Sequence, residues 1–294
     1  MITWLRTHRL VAVGASALVV LLVAVLSVVL TRGSDEPDVA EPGASTTMET
    51  TTTMSASATA TSTTRPSPKP TTSTAPTTKA PPFPAALRGQ DLTVLPTSRK
   101  VVALTFDAGA NSAGLSKILA TLSAKQVPAT FFLTGTWARS NPAGVRSITA
   151  GGHRVGNHSM THPHLRGMSD AAVADELAQA ERAIRAAGAD PRPWFRFPFG
   201  DRDARAISAV NAAGYVSVRW TVDTLGWKGT SDGITAAQVT ERTLNALRPG
   251  EIVLMHIGSN PDDKSTLDAD ALPGMIDALR ARGYGFVTMD AALG

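Results

Sequence analysis

The chain of 294 residues contains no cysteine. This absence excludes disulfide bonds, thiolate zinc sites and cysteine nucleophiles. It is compatible with a cytosolic protein and with an exported one, so the compartment has to be inferred from another part of the sequence.

A strong excess of charge of either sign is also absent. The chain has 28 Lys and Arg against 24 Asp and Glu, a net charge of +4, and its basic residues are scattered. Nucleic-acid-binding proteins carry basic patches or stripes, so we do not expect nucleic acid as a partner. The mild positive balance favours an anionic polymer, such as a cell wall.

The first 32 residues predict a membrane segment. The stretch from Leu10 to Leu30 has no charged residue, and a helix of this length, at about 1.5 Å per residue, spans a hydrocarbon core of about 30 Å. Arg6 and Arg9 precede it, which predicts a cytoplasmic N-terminus and an extracellular C-terminal domain. We predict an uncleaved single-pass anchor in the cell membrane. The alternative is a cleaved signal peptide and a secreted protein.

Residues 33–97 predict a disordered linker. They are rich in Ser, Thr and Pro, and such a composition cannot bury enough apolar surface to offset the loss of chain entropy. We expect the linker to lift the following domain off the membrane.

Residues 98–294 predict a folded α/β domain. Short apolar, β-rich runs occur at 101–106, 129–133, 215–221, 251–257 and 284–289. Helical patterns lie between them: one follows Ser169 and ends at Gly188, and another begins with a capping box of Thr235 and Gln238. Alternating strands and helices indicate a parallel sheet or barrel. In such folds the chemistry collects at the carboxyl ends of the strands.

The segment HSMTH has the spacing of a metal site. His158 and His162 are four residues apart, and two imidazoles at this spacing can present their nitrogens to one ion. The alternative is that polar histidines fill a loop.

Two further motifs follow predicted strands. Asp107 in TFDAG stands at a strand end, where a carboxylate is well placed as a general base, or caps a turn. Arg196 in FRFPFG is a charge among apolar residues, which is costly unless it is paired with a carboxylate. Asp107 is the candidate partner.

Two further candidate site residues, His256 and Trp227, can be assigned a role only together with the other motifs. His256 follows the apolar run IVLM, and its near-neutral pKa suits proton donation to a leaving group, although a lone histidine can be structural. Trp227 in VDTLGW is either a core residue or a wall against the face of a sugar ring.

Together, TFDAG, HSMTH, FRFPFG, VDTLGW and LMH resemble, in order and spacing, the motifs of the polysaccharide deacetylases (the NodB homology domain, carbohydrate esterase family 4). The resemblance covers about residues 98–294. It implies a distorted (β/α) barrel of the polysaccharide deacetylase type and a divalent metal, often zinc, with cobalt or nickel as alternatives.

The resemblance also implies roles. Asp107 matches the family's catalytic base and His256 its catalytic acid, while His158 and His162 match its metal ligands.

The substrate-binding positions follow in the same way. Arg196 matches the residue that orients the base, and Phe199 matches the aromatic residue whose backbone N–H holds the oxyanion. Leu254 matches the residue that lines the pocket for the acetyl methyl group, and Trp227 is the expected sugar wall.

The sequence departs from the family pattern at two positions. Ala108 stands where the family has an Asp that is the third metal ligand. Asp107, Asn111 or water could supply the missing oxygen. Gly226 stands where the family has an Asp that tunes the catalytic histidine, and Asp223 could substitute for it.

The resulting expectation is a metal-dependent hydrolase that removes N-acetyl groups from the amino sugars of a cell-surface polysaccharide, foremost peptidoglycan. The alternatives are a catalytically weakened glycan-binding domain and an O-acetyl esterase. Asp268 and Asp270, which follow His256, either approach the site or cap the next helix, and capping is the safer interpretation.

Overall fold

A curled parallel sheet organises the part of the chain that the structure, a computed structural model, describes: residues 83–294. The strands are β1 Asp91–Leu92, β2 Val101–Ala108, β3 Thr130–Leu133, β4 Arg154–Asn157, β5 Trp194–Phe195, β6 Val216–Val218, β7 Val222–Asp223, β8 Glu251–His256 and β9 Gly285–Phe286. Their order is β1-β6-β5-β4-β3-β2-β8-β7, with β9 paired to β2. All of these strand pairings are parallel.

Helices cover the outside of the sheet. They are α1 Leu115–Ala124, α2 Gly135–Ser140, α3 Pro142–Ala150, α4 Asp170–Ala186, α5 Ala204–Ala212, α6 Ala236–Asn245 and α7 Leu267–Ala281. The predicted capping box forms, because Thr235 and Gln238 satisfy each other's backbone N–H groups at the start of α6. Among residues 83–294, no helix combines the length and apolar character needed to cross a bilayer.

The central strand β2 shows why the site forms where it does. Leu104, Phe106 and Ala108 lie in the apolar cluster beneath the helices, while Ala103 lies in the cluster on the inner face of the sheet. Successive strand residues point to opposite faces, so Asp107 points inward with Ala103. The strand ends there with a carboxylate directed into the open end of the sheet.

The predicted distorted barrel is confirmed as a curled parallel sheet with outer helices. The two ends of the strand path, β1 and β7, do not pair with each other, so the barrel is incomplete.

The predicted boundary at residue 98 is too late. Phe83, Leu87, Leu92 and Leu95 are buried in the inner cluster, and β1 pairs with β6. The linker prediction failed at 83–97 because a few apolar residues spaced along a polar stretch show no clear period. The predicted anchor and the rest of the predicted linker lie outside the described residues.

Candidate active site

One cleft of about 670 Å³ opens at the carboxyl ends of the strands. The structure brings most of the predicted site residues into it: Asp107, His158, His162, Phe199, Trp227, Leu254 and His256. Arg196 lies behind the cleft wall and is fully buried. The convergence follows from the parallel sheet, since the motifs end neighbouring strands or begin the loops after them.

Asp107 is held by Arg196. The Arg196 Nη1 group donates to Asp107 Oδ1 at 2.8 Å, and its Nη2 group donates to Thr105 Oγ1 at 2.8 Å. Burial acts to raise the pKa of Asp107, but the positive charge of Arg196, with smaller contributions from His158 and His256, outweighs burial and lowers that pKa below its ordinary value. Asp107 is therefore ionised at neutral pH, as a general base must be.

The imidazole of His158 has a defined tautomer. Its Nδ1 lies 2.9 Å from the carbonyl oxygen of Arg196, and a carbonyl only accepts, so Nδ1 carries the proton. The Nε2 lone pair then faces Asp107 Oδ2 at 3.4 Å. Two acceptors that face each other at this distance are satisfied by a cation beside them, and the Nδ1–H hydrogen bond is typical of metal-binding histidines.

His162 is neutral as well. Burial and the neighbouring His158 lower the pKa of His162 to about 4, and burial also lowers the pKa of His158. Neutral imidazoles are the form that binds metal. The two rings meet edge to face, with centroids 4.8 Å apart.

The donor set fits a divalent ion, but a complete three-ligand group is not formed. Between residues 83 and 294, no three His, Asp or Glu side chains stand at metal-binding spacing. Ala108 faces the apolar cluster. Asn111 does not replace the missing ligand, because its Oδ1 accepts from the backbone N–H groups of Ala113 and Ser259. His158 and His162 would hold the ion, with the Asp107 carboxylate adjacent.

His256 ends β8 directly beside Asp107 in the sheet register. Burial acts to lower the pKa of His256, but Asp268, Asp107 and Asp223 together outweigh it and raise that pKa above its ordinary value. A raised pKa makes the imidazole hold its proton more strongly, which suits a catalytic acid.

Asp223, the expected substitute for the carboxylate missing at Gly226, makes its hydrogen bonds to the loop after β7. Its Oδ1 accepts from the Leu225 N–H at 2.9 Å, and its Oδ2 accepts from the Trp227 indole at 3.3 Å. Asp223 lines the cleft, but both of its oxygens support the loop that carries Trp227.

The expectation that Asp268 merely caps the helix is wrong. Asp268 lies in the first turn of α7 and is buried, yet its Oδ2 accepts from the backbone N–H of His256 at 2.8 Å. Asp270, by contrast, forms a surface ion pair with Lys117. An acidic residue early in a helix normally indicates a favourable interaction with the helix dipole, so the sequence offered no signal that separated the two.

Two exposed aromatic rings flank the cleft. Phe199 is 61% exposed and Trp227 is 46% exposed, which is unusual for such large apolar side chains. The Phe199 backbone has a φ of 58°, and its ring stacks on His164 at 4.2 Å. Trp220 and Phe197, which the motifs did not single out as wall residues, also line the cleft. Such surfaces suit the faces of sugar rings.

Comparison with known proteins agrees with this geometry. The family model described as polysaccharide deacetylase matches residues 95–218. A chitooligosaccharide deacetylase of Bradyrhizobium sp. (strain ANU 289) is 40% identical over 192 residues, which cover 62% of this chain and 86% of that protein. A peptidoglycan-N-acetylglucosamine deacetylase of Bacillus cereus is 34% identical over 195 residues, covering 66% and 68% of the two chains.

Among solved structures, a CE4 family pseudoenzyme from Bacillus anthracis superposes with a TM-score of 0.63 at 29% identity, covering 70% of this chain and 69% of that one. A mutant of that pseudoenzyme is described as having restored enzymatic activity. With its curled parallel sheet, its five ordered motifs and these relatives, the chain belongs to the polysaccharide deacetylase family, carbohydrate esterase family 4.

Proposed function

We propose that this chain is a metal-dependent deacetylase that removes N-acetyl groups from the amino sugars of peptidoglycan. The observation that carries the proposal is the placement of Asp107, a carboxylate with a lowered pKa, and His256, an imidazole with a raised pKa, in one cleft with the histidine pair His158 and His162. The cleft thereby contains a base, an acid and ion-binding groups for amide hydrolysis.

Asp107 and His256 share the proton transfers. Asp107 Oδ2 accepts a proton from the attacking water while Arg196 keeps Oδ1 engaged. The hydroxyl oxygen adds to the acetyl carbon, the carbon–nitrogen bond breaks, and His256 gives its proton to the sugar nitrogen. Acetate and a free amino sugar result.

The remaining side chains position the substrate. His158 and His162 would hold a divalent ion, for which zinc is the first candidate and cobalt and nickel are alternatives. Such an ion, when bound, polarises the acetyl carbonyl and lowers the pKa of water. The Phe199 backbone N–H stabilises the oxyanion, and the buried Leu254 side chain excludes water from the acetyl methyl group.

The substrate and the location support each other. The relatives named above act on chitooligosaccharide or on peptidoglycan N-acetylglucosamine, and peptidoglycan is a polymer outside the cytoplasm. The uncharged stretch from Leu10 to Leu30 after Arg6 and Arg9 supports a location of the domain on that side, held by a membrane tether.

The decisive experiment measures acetate release by the full chain from peptidoglycan and from a chitin oligomer, after loading with zinc, cobalt or nickel. We expect release that a chelator suppresses. Asp107→Asn should lower the rate by about 10²–10⁴-fold, because the base is lost. The exposed Asp277, which pairs with Lys125 at the surface, gives the matched control Asp277→Asn, which should leave the rate unchanged.

A second function, glycan binding without catalysis, is favoured by one observation: the described residues form no three-ligand metal group. Co-sedimentation with peptidoglycan without acetate release, after metal loading, would support that function and reject the deacetylase. Release from O-acetylated xylan alone would indicate an esterase.

A further inference from the structure

A carboxylate fills the space beside Gly226. A Cβ atom on Gly226 would lie 2.4 Å from Asp268 Oδ1 and 2.6 Å from its Cγ, distances that no real side chain tolerates. The Gly226 backbone is not in the left-handed region, so its conformation does not demand glycine. The residue is small because the Asp268 side chain of α7 occupies the volume that a side chain at 226 would need.

The hydrogen bonds of Asp268 join the site, not its own helix. Its Oδ1 accepts from the Thr224 hydroxyl at 2.6 Å, and its Oδ2 accepts from the His256 N–H at 2.8 Å. Only 3% of the residue is exposed, and His256 is the one cationic partner recorded for it among residues 83–294. A buried carboxylate is costly unless it is hydrogen-bonded and paired, and the His256 ring is the group beside it that can carry a positive charge.

The His256 ring has a nitrogen that could donate a hydrogen bond to Asp268. Its Nδ1 atom is buried without a hydrogen-bond partner in the described part of the chain, and it lies 3.8 Å from Asp268 Oδ2. This separation is too long for a hydrogen bond, but catalytic hydrogen bonds in ligand-free sites are often long and tighten when substrate binds.

We propose that Asp268 is the positioning residue for His256, and that it supplies from α7 the carboxylate that other family members carry at the position of Gly226. Asp268 accepts the Nδ1 proton of His256, which fixes the tautomer and directs Nε2 at the leaving nitrogen. The inference deepens the proposed function and rests on it for the role of His256.

Among residues 83–294, Asp268 is the one carboxylate with an oxygen within 4.0 Å of a ring nitrogen of His256. Asp107 on β2 is engaged by Arg196, and Asp223 on β7 supports the Trp227 loop. The remaining titratable neighbours, His158 and His162, are neutral and follow β4. The charge of Asp268 is therefore the one whose removal should change His256 most directly.

The first test compares Asp268→Asn with Asp270→Asn. Both substitutions remove one charge from the first turn of α7, so the second controls for the helix dipole. We expect Asp268→Asn to lower kcat by at least about tenfold with little change in KM, and to move the alkaline limb of the pH profile to lower pH by about one unit. Asp270→Asn should do neither. Equal effects of both variants would overturn the proposal.

The second test moves the carboxylate. Gly226→Asp alone should fold poorly because of the steric conflict, whereas Gly226→Asp combined with Asp268→Ser has room and returns a carboxylate to the same place. We expect the double variant to recover kcat and the alkaline limb relative to Asp268→Ser. Failure to recover, in a double variant with wild-type thermal stability, would overturn the proposal.

A third readout does not require activity. In the full chain with isotope-labelled histidine, the NMR signal of His256 should show a protonated Nδ1 and a pKa above 6.5. In Asp268→Asn, or in Asp268→Ser if the first variant does not fold, that pKa should fall. An unchanged His256 signal rejects the role of Asp268 even if the chain proves to be inactive, and a changed signal in an inactive chain rejects only the deacetylase.

Discussion

At the scale of single residues, the site depends on a buried ion pair. The Arg196 guanidinium is fully buried and bonded to Asp107, Thr105 and the carbonyl of Arg219, and it stacks on the Phe132 ring at 4.2 Å. Such a pair adds little net stability, but removing one partner leaves a buried charge without compensation. The same contacts that ionise the base therefore also make the protein sensitive to its loss.

This sensitivity can be measured without any assay of activity. Arg196→Met should lower the free energy of unfolding by about 3–5 kcal/mol, because the Asp107 charge is left unpaired. Adding Asp107→Asn should recover at least about 1 kcal/mol, since neighbouring sites are not additive. Denaturant titration of both variants is the measurement. The surface pair of Arg205 and Asp170 provides the control: Arg205→Met should cost about 1 kcal/mol or less. Fully additive losses at the buried pair would contradict the argument.

At the scale of the elements, prediction succeeded where a pattern was long. The apolar runs of β2, β3 and β8 and the capped helices α4 and α6 are confirmed. Strands β4, β5 and β7 have between two and four residues, and none contains more than two consecutive apolar residues, so the sequence gives no clear strand signal there.

Prediction of the site residues also succeeded where the local sequence pattern was clear. Asp107 and His256 could be placed from sequence because each ends a recognisable strand, and parallel strands bring their ends together. The role of Asp268 could not be predicted from sequence, because it depends on how α7 approaches Gly226. Asp268 and Gly226 are 42 residues apart in the chain. Sequence spacing predicts neighbours within one element or one sheet edge, not the meeting of a helix with a distant loop.

The segment 83–97 also shows the limit of composition. Asp91 on β1 contacts Arg202 at 2.6 Å, and Arg202 in turn donates to the Gly200 carbonyl of the turn that carries Phe199. A stretch that composition assigned to the linker therefore braces one wall of the cleft.

We expect truncation to expose this contribution. A chain that begins at residue 98 loses Leu92 and Leu95 from the inner cluster, and each buried leucine contributes about 1.5–3 kcal/mol. It should unfold at lower temperature than a chain that begins at residue 83, as followed by circular dichroism. Within the segment, Leu95→Ala should cost about 2–5 kcal/mol, while the exposed Thr93→Ala should stay within about 0.5 kcal/mol. Equal melting of the two truncated chains would show that the segment is dispensable.

At the scale of the whole molecule, the proposed substrate leads to a prediction about membrane topology. Peptidoglycan is a large polymer on the outer side of the cytoplasmic membrane, so a domain that acts on it has to be exported. The stretch from Leu10 to Leu30, with Arg6 and Arg9 before it, predicts an orientation in which the C-terminal domain is extracellular.

The full chain should therefore sediment with membranes, resist alkaline extraction, and lose its domain to protease added outside intact protoplasts. Replacing both arginines before the apolar stretch, Arg6→Glu with Arg9→Glu, should retain membrane binding but protect a fraction of the domain, because positively charged residues set the orientation. A domain found free in the medium would show that the apolar stretch is a cleaved signal peptide. A domain protected in the unmodified chain would place the cleft on the side where peptidoglycan is absent, and the proposed substrate would then be wrong.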